Sequence, residues 1–146
     1  MKDNFSQQAS GYAQYRPQYP EELFAYILRF VKEKKLAWDC GTGNGQSAKA
    51  LSNYFEKVIA TDISQKQIDN AYKASNIFYA VEPAEQTTLA DKSVDLITVA
   101  QAMHWFNFEK FYAEVNRVAK PGAVIAVWTY NLLKISKEID DLINEY

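Results

Sequence analysis

Chemistry-bearing residues are densest in the run Trp38-Asp39-Cys40-Gly41-Thr42-Gly43-Asn44-Gly45-Gln46. Three glycines at alternate positions allow a sharp backbone turn and a close approach to a ligand, because no Cβ stands in the way. Amides at the start of a following helix would point at that ligand as well. The spacing is GxGxG: Gln46 stands where the dinucleotide fingerprint GxGxxG has its last glycine. No Gly-Lys-Ser/Thr follows, so a phosphate-binding P-loop is excluded. Asp39 at the mouth of the loop would repel a pyrophosphate and suits a ligand carrying an ammonium group. A second acid, Asp62, lies seventeen residues beyond Gly45, the place where an acidic side chain accepts both ribose hydroxyls of a nucleoside. Alone, GxGxG is often an ordinary turn, and Asp62 could merely cap the helix that Ser64 begins. Loop, acid and spacing together point to a nucleoside-containing ligand.

Such residues need a scaffold that ends a strand in a turn. Apolar runs at 36–40, 58–61, 77–81, 94–100 and 123–130 predict strands. Helical patterns fall between them at 46–55, 65–73 and 108–119, with Ser64 and Asn107 as N-caps of the latter two. An earlier helix is expected to open at Pro20, with Glu21 and Glu22 at its positive end and Leu23, Ile27, Phe30 and Val31 at helical spacing through Lys35. Lys120-Pro121-Gly122 reads as a stop-and-turn. The strands are apolar throughout, as in sheets covered on both faces. The expectation is one α/β domain over 1–146, an open doubly wound parallel sheet. Residues 1–19 read as an irregular arm. A last helical segment over 135–146 carries a stripe of Ile135, Ile139, Leu142 and Ile143 that must pack on something.

Composition narrows the function. At 48% hydrophobic and 23% charged, the 146 residues are those of a packed globular protein. A net charge of −2 lacks the basic face of a nucleic-acid binder. The single cysteine, Cys40, and the single histidine, His104, leave no internal disulfide and no expected metal site. The N-terminus has no secretory apolar core, and no run reaches the ~18–20 residues that span a bilayer. A cytoplasmic protein with no membrane or nucleic-acid partner is expected.

Taken with further segments, the chain resembles class I S-adenosylmethionine-dependent methyltransferases, and within them the small-molecule group like trans-aconitate methyltransferase. The matching segments are the arm Gly11-Tyr12-Ala13-Gln14-Tyr15-Arg16-Pro17-Gln18-Tyr19-Pro20, the loop from Asp39 to Gly45, and Thr61-Asp62-Ile63-Ser64. Pro83-Ala84-Glu85, Asp91-Lys92-Ser93-Val94-Asp95-Leu96-Ile97 and Gln101-Ala102-Met103-His104-Trp105-Phe106 complete the set. The resemblance implies S-adenosylmethionine as cofactor and a small-molecule methyl acceptor, such as an organic acid. It implies that Gly41, Thr42, Gly43, Asn44 and Gly45 hold the methionine and ribose parts, with Asp39 near the amino group. Asp62 would grip the ribose, Ile63 would pack on the adenine, and Ala84 and Glu85 would border its edge. Ala100 and Gln101 would line the methionine part beside the reacting methyl, and Tyr15 and Arg16 would fold over the cofactor.

His104, the one catalytic candidate, follows the fourth strand and has three readings: general base, pocket wall, or structural side chain. Pro83 stands where many relatives carry an acid. The family's sheet has seven strands, and the last two have no counterpart after Tyr146, so the chain reads as the cofactor-binding portion of a longer protein. Cofactor binding without turnover is the alternative function, and a nicotinamide-dependent dehydrogenase is a third. A bare fifth-strand edge would invite a homodimer.

Overall fold

The structure, a computed structural model, describes residues 18–130. The expected arm, with Tyr15 and Arg16, and the expected helix over 135–146 lie outside the described residues.

Five strands form the frame: β1 (Leu36–Cys40), β2 (Lys57–Asp62), β3 (Ile77–Val81), β4 (Val94–Ala100) and β5 (Ala119–Trp128). All pair in parallel, in the order β3-β2-β1-β4-β5. The chain runs outward from β1 to β3 on one side, then returns to lay β4 and β5 on the other. The reversal falls between β1 and β4, and in open α/β sheets that switch point opens a crevice at the carboxyl ends of the strands.

Helices cover both faces. Helix α1 (Glu21–Leu28) and α2 (Gln46–Leu51) lie over one core, where Phe24, Ile27, Leu51 and Phe55 pack on Val58, Ala60 and Leu96. On the other face α4 (Phe108–Val118) packs Phe111, Val115 and Val118 against Trp38, Ile97 and Val99. That stripe, at i, i+4 and i+7, lies within the helix expected over 108–119. A short α3 (Gln65–Asp69) starts at the Ser64 cap, and α4 at the Asn107 cap, each cap accepting a bond from the backbone amide three residues on. No helix among the described residues is long and apolar enough to cross a membrane.

Helices α2 and α3 end at Leu51 and Asp69, short of the expected 55 and 73, and three further boundaries differ from expectation. Helix α1 stops at Leu28, and the amides of Arg29, Phe30 and Val31 tighten to carbonyls three residues back. Beyond them the Lys34 and Lys35 carbonyls are taken by the amides of Glu56 and Lys57, and the Lys35 and Leu36 amides by Asp95, so the helix cannot continue. Pro20 is the N-cap of α1, one position before the expected first turn. Lys120-Pro121-Gly122 does not end in a loop: β5 starts at Ala119 directly after α4 and absorbs the triplet as an irregularity, opposite a register shift between Val94 and Leu96.

Candidate functional site

The glycine loop connects β1 to α2 at the crevice. Gly41, Gly43 and Gly45 all have positive φ, at 67°, 56° and 81°, which only glycine adopts without strain. At two of them the close approach is made by the protein itself. A Cβ at Gly45 would lie 2.1 Å from the Tyr79 hydroxyl oxygen, and one at Gly41 would lie 2.7 Å from the Ala102 Cβ. Tyr79 is held in that place by donating to the Tyr72 carbonyl at 2.7 Å, while the Tyr72 amide donates to the Asn44 carbonyl. The loop is further tied to β2 by the Thr42 amide, which donates to the Thr61 carbonyl at 2.9 Å.

Asp39 ends buried, 1% exposed, at the base of this loop. Its two oxygens accept from the Thr42 hydroxyl at 2.5 Å and the Thr98 hydroxyl at 2.7 Å. Burial drives its pKa up from 3.8 to about 6, against the lowering effect of those two bonds. Asp39 therefore orients the loop through Thr42. Asp62, at the end of β2, is half-buried and accepts from the Gly43 amide at 2.8 Å and the Ser64 amide at 2.9 Å. Backbone donors thus hold both carboxylate oxygens at the end of β2.

The other expected residues fall around the same edge. Ile63 is half-buried one residue past Asp62, and Ala84 is buried in the loop after β3. Glu85 is half-buried and accepts from the Asn107 amide at 2.8 Å, which ties that loop to the start of α4. Ala100 ends β4, and Gln101 follows with φ of 58°, a left-handed conformation in a residue with a side chain. The turn after it crosses the glycine loop, since Ala102 and Phe106 are the neighbours of Gly41. His104 sits in a short 3₁₀ turn, Met103–Trp105, exposed, with its ring 4.8 Å from that of Trp105. The structure thus gathers the glycine loop, Asp62, Ala100 and Gln101 along neighbouring strand ends. Asn44 Oδ1, Ser47 Oγ and Gln101 Nε2 are buried there with no hydrogen-bond partner.

Sequence reading missed Tyr79, Thr98 and Thr129. Thr98 left a signal, a hydroxyl inside the aliphatic strand Val94–Ala100. Tyr79 left none, because an aromatic residue in a strand is ordinary. Thr129, which donates to Gln101 Oε1 at 3.0 Å, became visible only once β5 was placed beside β4.

Comparison with known proteins agrees with this geometry. Residues 38–127 match the methyltransferase domain family. A candidate methyltransferase of Dictyostelium discoideum is 43% identical over 94% of this chain and 53% of its own length. A candidate S-adenosylmethionine-dependent methyltransferase of Saccharomyces cerevisiae is 30% identical over 89% of this chain and 47% of its own. The solved structure of a candidate type II methyltransferase from Anaeromyxobacter dehalogenans, 43% identical, superposes with a TM-score of 0.79 over 90% of this chain and 56% of that one. The chain spans about half the length of the curated relatives it matches. With its all-parallel sheet, glycine loop and acid at the end of β2, the chain belongs to the methyltransferase domain family, the class I S-adenosylmethionine-dependent methyltransferases.

Proposed function

We propose that this chain binds S-adenosylmethionine in the crevice at the carboxyl ends of β1, β2 and β4 and serves transfer of its methyl group to a small organic acid. The observation that carries the reading is Asp62, a carboxylate at the end of β2 braced by the Gly43 and Ser64 amides. A carboxylate at that place suits two ribose hydroxyls, and the unpartnered Asn44 Oδ1 of the glycine loop offers a further acceptor. Ile63 would pack on the adenine, and Ala84 and Glu85 would border its edge. Gly41, Thr42, Gly43 and Gly45 would follow the sugar and the methionine chain.

The cofactor supplies a methyl already activated by the positive sulfur. When bound, it would give that methyl to the acceptor's lone pair by in-line displacement, with a neutral thioether as the other product. What the protein contributes is alignment and exclusion of water. A carboxylate acceptor is ionised at pH 7 and needs no base, since its pKa is about 4. An alcohol would need one, and His104, exposed just past β4, is our candidate for that role or for lining the acceptor's path. Because the chain spans half of its relatives, the second reading is cofactor binding without turnover.

Calorimetry with S-adenosylhomocysteine tests the binding step, with NAD as the control. Wild-type protein is expected to bind the homocysteine product and not NAD. Asp62→Ala should weaken that binding more than about tenfold, the loss of two hydrogen bonds to a charged group. Undiminished affinity in Asp62→Ala overturns the reading. Transfer of labelled methyl to added acids then separates enzyme from binding module.

A further inference from the structure

The glycine loop is tied down in two halves, by different parts of the sheet. The first half is fixed by β2, where the Thr42 amide donates to the Thr61 carbonyl and the Gly43 amide to Asp62. The second half, Asn44 and Gly45, is met by Tyr79 of β3. Its hydroxyl oxygen stands 2.1 Å from where a Cβ on Gly45 would fall. That hydroxyl donates to the Tyr72 carbonyl at 2.7 Å, and the Tyr72 amide donates to the Asn44 carbonyl at 3.1 Å. A carbonyl can only accept, so the direction of both bonds is fixed. Tyr72 is also held by α2, whose Lys49 places its Nζ 4.4 Å from the centre of the ring. Burial, and then the Asp39 charge, raise the Tyr79 pKa to about 12, so the hydroxyl keeps its proton at neutral pH.

The second half needs such a strut because of its composition. Glycine gives up more conformational freedom on ordering than any other residue, and Gly45 is held at φ of 81° as the N-cap of α2. A loop that its ligand must first order binds that ligand less tightly than one already set. Asn44 carries the consequence, because its Oδ1 is buried with no hydrogen-bond partner. We propose that Tyr79 is a positioning residue for the cofactor, acting through Tyr72 to hold Asn44 with that oxygen set for an N–H or O–H group of the ligand. The Tyr79 hydroxyl proton is itself committed to the Tyr72 carbonyl, so the effect passes through the loop. This rests on the cofactor reading above and adds a residue of β3 that the expected cofactor set leaves out.

The test is a double-mutant cycle read in binding, so it does not depend on turnover. Wild type, Tyr79→Phe, Asn44→Ala and the double variant are titrated with S-adenosylhomocysteine by calorimetry. Tyr79→Phe keeps the ring and removes the hydroxyl. It should weaken binding about fivefold, the effect of one lost hydrogen bond, and Asn44→Ala should do the same. In the Asn44→Ala background, Tyr79→Phe should add less than about twofold, because its route runs through Asn44. Hydrogen exchange without ligand supplies a second measurement. In Tyr79→Phe the Tyr72 amide should exchange faster, while the Gly43 amide, bonded to Asp62, keeps its wild-type rate. Unchanged affinity in Tyr79→Phe overturns the proposal even if the urea midpoint falls, since Tyr79 then braces the fold alone. The full loss persisting on top of Asn44→Ala overturns it too, as does exchange that quickens equally at both amides. Wild-type protein that never binds S-adenosylhomocysteine overturns the cofactor reading itself and this proposal with it, whereas the other failures leave that reading intact.

Discussion

Buried or half-buried carboxylates occupy two regions of the molecule, and the two treat them oppositely. Along the crevice, Asp39 is deeply buried with only neutral donors, two hydroxyls and the Ala48 amide, and its pKa is driven up to about 6. On the other face of the sheet, Glu114 on α4 is buried less deeply, and its oxygens accept from Arg117 twice and from the Thr87 amide and hydroxyl. The Arg117 guanidinium leads the lowering of its pKa from 4.5 to about 2, which outweighs burial. Arg117 in turn donates to the Leu89 carbonyl and to Asp91, so this cluster fastens the loop over 82–92 to α4. Asp95 at the amino end of β4 behaves like Glu114: burial raises its pKa, yet Lys120 and the Leu36 and Lys35 amides carry it below the ordinary value. Saturated polar groups hold the frame, and under-satisfied ones gather where a ligand is expected. Local unsaturation of this kind is what separates a site from a brace in this chain.

Breaking the brace should produce the largest effect. Glu114→Ala leaves the Arg117 charge half-buried without its main partner and frees the Thr87 amide. A loss of about 3 kcal/mol is expected, at the lower end for a broken buried pair, read as a shifted urea midpoint at pH 7. The same group sets the acid limit. A depressed folded pKa contributes stability above about pH 4.5, and that contribution should fade as pH drops from 4.5 toward 2. An acid titration of stability in Glu114→Ala should lack that segment of the wild-type curve. If both curves run parallel from pH 4.5 downward, the ion pair is not the brace.

The second prediction crosses from brace to site. Gly45→Ala puts a methyl 2.1 Å from the Tyr79 hydroxyl and forces a side chain to φ of 81°. Together, overpacking and backbone strain should destabilise by about 2 kcal/mol. Part of that is relieved by removing the obstacle, so Gly45→Ala with Tyr79→Ala should cost less than the two changes summed. A double-mutant cycle in urea measures the difference. Strict additivity would mean that Tyr79 does not press on the loop.

These two regions were not equally legible in the sequence. The crevice announced itself through local rules: glycines at alternate positions, Asp62 at a set distance, and caps at Ser64 and Asn107, each acting within a few residues of itself. The parallel sheet with helices between its strands followed from short apolar runs alternating with helical patterns, while the strand order came only with the structure. What stayed hidden was long-range. Glu114 reads as one more charged residue on an amphipathic helix, because Thr87 is twenty-seven positions away and enters only through folding. Tyr79 and Thr129 were invisible for the same reason. The β5 start was misread because Pro and Gly ordinarily break structure, whereas here the register shift opposite Leu96 accommodates them.

The smallest expected effect is also the one that separates the two regions most sharply. A folded pKa raised above its unfolded value makes stability fall as pH rises, so Asp39 should weaken the fold between about pH 3.8 and 6 and remain unfavourable at neutral pH. Asp39→Asn keeps the shape and removes the buried charge, and the amide oxygen can still accept from Thr42 or Thr98. After subtracting the weaker neutral bonds, a gain of about 1 kcal/mol at pH 7 is expected, vanishing below pH 4. Affinity for S-adenosylhomocysteine should fall in the same variant, because the loop is no longer drawn in by the charge on Asp39 through Thr42. A frame residue shows stability and binding lost together, as Glu114→Ala should. Opposite signs in Asp39→Asn would mark a charge kept for the ligand at the expense of the fold, and a simple loss of stability at pH 7 would place Asp39 with the brace.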